Sequence, residues 1–218
     1  MNSFVHNLFF WRAYTTEQNK RYWLKKKDPE YWKEYLKTWN HPHRTIISAA
    51  LKRFPWVSLF EVGCGSGPNI VNIVKNFQGK QIGGSDINPT AIEVLKANTK
   101  GGVFQVGSGE DIMMSDKSTD IALSDMALIY VGPMKIKKYL SEIKRITRNR
   151  AIFHEFHSFS WWARTRLRIF SGRHAYNYKS LLEKLGFYDV QIYKMPMFEQ
   201  DNEQEFRHLI IAKAPYYI

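Results

Sequence analysis

Among 218 residues the sequence has a single cysteine, Cys64. A disulfide framework and a cysteine-built zinc site are therefore excluded. No apolar run approaches the roughly 18–20 residues a membrane-spanning helix needs. There is no Gly/Ser linker, no internal repeat and no Gly-Lys-Ser/Thr step, so nothing points to a solenoid or a P-loop. The start, Met1 to Tyr14, is aromatic-rich but lacks a basic leader and a small-residue cleavage site. A secretory signal is not expected there, and the expected location is the cytoplasm. Acidic residues are the scarce charge, 20 Asp/Glu against 32 Lys/Arg, for a net charge of +12.

The basic excess is uneven. Residues 1–58 carry +7, residues 59–150 carry +3 and residues 151–218 carry +2. Lys20, Arg21, Lys25, Lys26 and Lys27 form one cluster. Arg164, Arg166, Arg168 and Arg173 form another, just after Trp161 and Trp162. Such a balance invites an anionic partner, although a charge run is also what a solvated helix face looks like.

The hydrophobic pattern divides the chain. Residues 1–54 read as helical, with Asp28-Pro29-Glu30 as a cap followed by a first-turn proline. From residue 57 short apolar strands alternate with helices: strands at Val57–Val62, Gln81–Ser85, Val103–Val106, Ile121–Ser124 and Ala151–Phe156, with helices between them. This predicts right-handed βαβ units and a mostly parallel sheet. Tyr178–Leu185 reads as a helix stopped by Gly186. Phe187–Tyr193 and Phe206–Lys213 then read as an antiparallel hairpin around the polar stretch Glu199–Glu205.

The chemistry concentrates after the first strand. In Leu59-Phe60-Glu61-Val62-Gly63-Cys64-Gly65-Ser66-Gly67, a strand feeds a turn whose glycines let the backbone approach a ligand. Asp86 lies 19 residues past Gly67, at the end of the next strand, where a carboxylate can accept from both ribose hydroxyls of an adenosine ligand. The third glycine comes one position too early for the dinucleotide fingerprint, and Pro68 stands where that fingerprint needs glycine. Glu61, ahead of the first glycine, suits a ligand with a cationic amine better than a pyrophosphate.

Glu-Val-Gly-Cys-Gly-Ser-Gly resembles the signature of class I S-adenosylmethionine-dependent methyltransferases (methyltransferase type 11-like), over about residues 57–214. The resemblance implies a Rossmann-like α/β fold: a seven-stranded, mostly parallel sheet with an antiparallel last strand, helices on both faces and an N-terminal helical cap. It implies S-adenosyl-L-methionine as cofactor, held by Glu61, Gly63, Gly65, Gly67, Asp86, Ile87, Glu110, Asp111, Ile112 and Ser124. In it, Asp111 would face the exocyclic amine, Ile112 the adenine ring, and the end of Asp120–Asp125 the methyl group. Residues 1–54 would form the cap and 55–218 the cofactor domain, with the insert 158–178 as substrate lid.

Candidate catalytic groups are Tyr130, shortly after the fourth strand, and His154, Glu155 and His157 at the end of the fifth. The Asn/Asp-Pro-Pro-aromatic step of base-amine methyltransferases is absent, and one cysteine disfavours cysteine-dependent methylation. His154-x-x-His157 lacks helical metal-ligand spacing, so no metal is expected. His41 and His43 read as a helix start on a solvated face. The expected substrate is a small molecule or a lipid- or sugar-linked metabolite, N- or O-methylated and anionic itself or held on an anionic surface, with peripheral membrane contact through the insert. RNA methylation through the basic N-terminus and a non-catalytic binding module are the alternatives.

Overall fold

The computed structural model describes residues 15–196 and 203–215. The aromatic start and most of the Glu199–Glu205 stretch lie outside the described residues. Among the described residues three helices come first: α1 (Thr16–Leu24), α2 (Pro29–Leu36) and α3 (Pro42–Leu51). The alternating part follows as β1 (Ser58–Val62), α4 (Pro68–Asn76), β2 (Gln81–Asp86), α5 (Pro89–Asn98), β3 (Val103–Val106) and β4 (Thr119–Asp125). Then come α6 (Ile136–Ile146), β5 (Thr147–Phe156), α7 (Trp161–Ser171), α8 (Tyr178–Lys184), β6 (Tyr188–Lys194) and β7 (Arg207–Lys213).

The strands form one seven-stranded sheet in the order β3-β2-β1-β4-β5-β7-β6. Pairings among β1 to β5 are parallel, and β7 runs antiparallel between β5 and β6. Strand order reverses between β1 and β4, so the carboxyl ends of β1, β2 and β4 border a crevice where ligands bind in open α/β sheets.

Residue alternation along the strands splits the core between the two faces. Phe60, Val62, Ala122, Phe153 and Ile210 pack against Tyr139, Leu140 and Ile143 of α6 and Leu182 of α8. Leu59, Ile121, Leu123, Ile152 and Ile211 pack against Leu51 of α3, Ile70 and Ile73 of α4 and Leu95 of α5. Helices therefore cover both faces, as the strand–helix alternation requires.

Helix starts follow local chemistry. Asp28 caps α2 through Glu30 N, with Pro29 in the first turn. Asn88 caps α5 through Ala91 N. The insert contains α7, capped by Ser160 and closed by Gly172 at φ 70°. It seats Leu167 against Ile129, Phe156 and Phe206.

Candidate active site

The glycine turn joins β1 to α4. Gly63, Gly65 and Gly67 have φ of 77°, 54° and 83°, left-handed values that L side chains rarely adopt. A Cβ on Gly63 would stand 2.4 Å from Ala127 Cβ, and one on Gly67 would stand 2.2 Å from Leu95 Cδ1. The turn is thus specified both by backbone conformation and by close packing. Gly65 N donates to Asp86 Oδ2 at 2.9 Å and Asn88 N to Asp86 Oδ1 at 2.8 Å, which fixes the carboxylate at the tip of β2.

One cavity brings these elements together. Its wall includes Gly63, Gly65, Asp86 and Ile87 on one side and Asp125, Met126, Ala127 and Tyr130 beyond β4 on the other. Its cover is aromatic: Trp23 of α1 and Tyr31, Trp32 and Tyr35 of α2. The rings form a connected set, with centroids 6.2 Å apart for Trp23–Trp32, 5.2 Å for Trp23–Tyr130 and 6.1 Å for Trp32–Tyr35. The first helices are tied to the site loops. Ser66 Oγ donates to Trp32 O at 2.8 Å, Asn88 Nδ2 to Trp23 O at 2.7 Å, and Asn19 Nδ2 to Tyr130 O at 2.8 Å.

Beneath the cavity lies a buried polar network centred on Asp125. Its Oδ2 accepts from Arg44 Nη1 at 2.9 Å and Asn69 Nδ2 at 2.8 Å, and pairs with His43 Nε2 at 3.1 Å. Its Oδ1 pairs with His154 Nδ1 at 2.6 Å. Asn69 Nδ2 also donates to Glu61 Oε1 at 2.6 Å. Burial alone would raise the Asp125 carboxyl, but His43 and His154 hold it well below the usual carboxylate range. Ligand atoms of His43, Asp125 and His154 lie within 4.8 Å of one another, a spacing compatible with a metal ion. A cation there would stand beside the buried Arg44 guanidinium, which already meets the charge of the same carboxylate.

The residues singled out from the sequence fall in different places. Glu61, at the end of β1, is buried and leaves Oε2 without a hydrogen-bond partner. Gly63, Gly65, Asp86, Ile87 and Tyr130 line the cavity. Glu110 lies between Lys20 and Lys135, paired with both. Asp111 is exposed, Ile112 is in the core beneath α6, and Ser124 Oγ donates to Glu155 at 2.8 Å. Glu155 accepts from the backbone N–H groups of Ala127, Leu128 and Ile129, so it clamps the loop that carries Tyr130. His154 meets Asp125. His157 Nδ1 accepts from Tyr178 N at 3.2 Å, and burial lowers this imidazole to about 4.

His43 is not on a solvated face as the sequence suggested: it reaches Asp125 and stacks on His154 with ring centroids 5.0 Å apart. The sequence reading also missed Arg44, Asn69 and the aromatic cover. The nearest signal was the compact His41-Pro42-His43-Arg44 step, whose partner Asp125 is more than 80 positions away.

Burial, with nearby Asp125, pushes Glu61 from an ordinary 4.5 up to about 8. The folded chain therefore holds a proton that the unfolded chain releases over that interval. The associated stability is full below pH of about 4.5 and lost as pH rises through about 8. Thermal melts of the ligand-free protein across this window should show a decline with pH that Glu61→Gln flattens. An identical slope in the variant would refute the assignment.

Residues 60–154 match the family model described as a methyltransferase domain. No curated protein matches the chain. Among solved structures, a chain of the complex between the Haloferax volcanii Trm112 methyltransferase activator and a methyltransferase is similar at TM-score 0.67 and 18% identity, over 87% of this chain and 96% of that one. Haemonchus contortus phosphoethanolamine N-methyltransferase 2, solved with phosphomonomethylethanolamine and S-adenosylhomocysteine, is similar at TM-score 0.59 and 16% identity, over 77% of this chain and 52% of that one. Magnesium protoporphyrin IX methyltransferase from Synechocystis, solved with S-adenosylmethionine, is similar at TM-score 0.58 and 15% identity, over 83% and 80%. The match over residues 60–154 and these structures show that the chain has the fold of class I S-adenosylmethionine-dependent methyltransferases.

Proposed function

We propose that the protein binds S-adenosyl-L-methionine in this cavity and methylates an oxygen or nitrogen of a small-molecule or lipid- or sugar-linked acceptor. The observation that carries the reading is one cavity holding the left-handed glycine turn, the fixed Asp86 carboxylate and the loop after β4. The residues fit the cofactor: Gly63 and Gly65 offer a cradle free of Cβ atoms, Asp86 suits the ribose hydroxyls, and Glu61, with Oε2 unpartnered, suits a cationic amine whose approach would ionise it. When bound, the cofactor supplies an electrophilic methyl on a sulfonium.

The chain's own task is to align an acceptor with that methyl and keep water out. Rings of Trp23, Trp32 and Tyr130 give an apolar wall whose π-faces favour positive charge. Glu155 fixes the loop bearing Tyr130, and Asp125 stands at the wall with His43 and His154 behind it, ready to polarise an acceptor proton. The test is calorimetry with S-adenosylhomocysteine followed by labelled methyl transfer to small-molecule, lipid and RNA extracts. Product binding and label in the first two fractions are expected. Label confined to RNA would replace the substrate assignment, and no binding of the product would overturn the reading.

A further inference from the structure

In a helix packed on a soluble core, the apolar stripe faces inward and the charged residues face water. Helix α7 does the reverse. Leu167 is its one buried residue. Its outward side carries Trp161 at 58% exposure, Trp162 at 75%, Ile169 at 42% and Phe170 at 59%, and Phe159 just before the helix is 65% exposed. Residues four apart share a helix face. Trp161, Thr165 and Ile169 therefore make one row, and Trp162, Arg166 and Phe170 make the row beside it. The exposed apolar groups thus lie on two neighbouring rows of the helix. The two indoles meet edge to face, with centroids 4.6 Å apart.

Cations accompany this surface. Arg166 lies in the second row, and Arg168 lies about two turns on from Trp161 on the same side of the helix. Arg164 donates to the carbonyls of Ser158 and Phe159 at 2.7 and 2.9 Å, bracing the approach to the helix. The helix itself contains no acidic residue. Glu205 pairs with Arg166 at 2.9 Å, but both side chains are more than half exposed, so that pair is weak and readily exchanged. Exposed tryptophans beside arginines on a short helix match the composition of segments that lie in the headgroup region of an anionic bilayer. The indoles sit at the polar–apolar boundary, and the guanidinium groups meet lipid phosphates.

We propose that α7, led by Phe159, is a docking surface for an anionic membrane. The helix is too short to span a bilayer and would lie parallel to the surface. Its buried side packs on Ile129, beside the cavity residues Met126 and Tyr130. Docking would thus bring the acceptor side of the cavity next to the lipid headgroups. That consequence rests on the methyltransferase reading, whereas the docking itself does not.

Flotation of the full chain with phosphatidylserine/phosphatidylcholine vesicles, against pure phosphatidylcholine vesicles, tests it. The full chain should float with the anionic vesicles and far less with the neutral ones. Trp161→Ala/Trp162→Ala should lower the anionic partitioning at least roughly tenfold. Arg166→Glu/Arg168→Glu should also lower it, and added salt should weaken the full chain's binding. Both variants should keep the wild-type affinity for S-adenosylhomocysteine, which separates lost docking from lost folding. If the wild type ignores anionic vesicles, or binds equally well without the two tryptophans, the proposal is overturned. Loss of self-association on the tryptophan change, without vesicle binding, would overturn it in favour of a second copy on this face. Failure of methyl transfer with docking intact would count against the methyltransferase reading only.

Discussion

Asp86→Ala should weaken binding of S-adenosylhomocysteine by about 1–3 kcal/mol, roughly a 5-fold to 150-fold loss of affinity by calorimetry. The carboxylate has two duties that fail together. Toward the ligand, in the proposed reading, it would accept from the ribose hydroxyls. Toward the protein it holds Gly65 N and Asn88 N at 2.9 and 2.8 Å. Releasing Gly65 frees a residue whose left-handed conformation the ligand needs already formed. Releasing Asn88 loosens a residue that reaches Trp23 O and Lys26 O and so anchors the aromatic cover. Asp86→Asn keeps the shape and one oxygen acceptor but loses the charge, and should fall between wild type and alanine. Unchanged affinity in the alanine variant would remove Asp86 from the ligand site altogether.

The part of this site that the sequence revealed is the part built from neighbours. Strand β1, its glycine turn, α4 and the aspartate closing β2 lie within about 30 residues, and each needs only local chemistry: an apolar run, residues free of Cβ, a proline in the first turn, an acid at a strand end. The same holds for the inward stripe of α6 and the hairpin of β6 and β7. Asp125 was legible only as the end of a strand. Its role depends on His43 and Arg44 from α3, Asn69 from α4 and His154 from β5, which no spacing rule connects. The aromatic cover was hidden for a related reason. Tryptophan and tyrosine at helical spacing read as ordinary core until the helices are placed over the glycine turn. Charge was the least informative signal. The excess in residues 1–58 includes Lys20, which pairs with Glu110, and Arg44, which lies in the buried network.

That network should give the largest change in stability. Arg44 and Asp125 are each 4% exposed at the side chain. Asp125→Ala leaves a buried guanidinium without its carboxylate and leaves Asn69 and both imidazoles without their common acceptor. The expected cost is about 3–5 kcal/mol, because removing one member of a buried ion pair exposes the full desolvation penalty of the other. Adding Arg44→Met removes that stranded charge while keeping much of its packing volume. The double variant should therefore be more stable than Asp125→Ala alone, although it is further from the native sequence. Urea unfolding measures this through the shift in midpoint, provided the slope stays constant. If the two changes are instead additive, the stability of this region comes from packing around α3 and α4. A recovery would show that the cost of Asp125→Ala lies mainly in the stranded Arg44 guanidinium, while His43 and His154 are the groups that hold the carboxylate ionised.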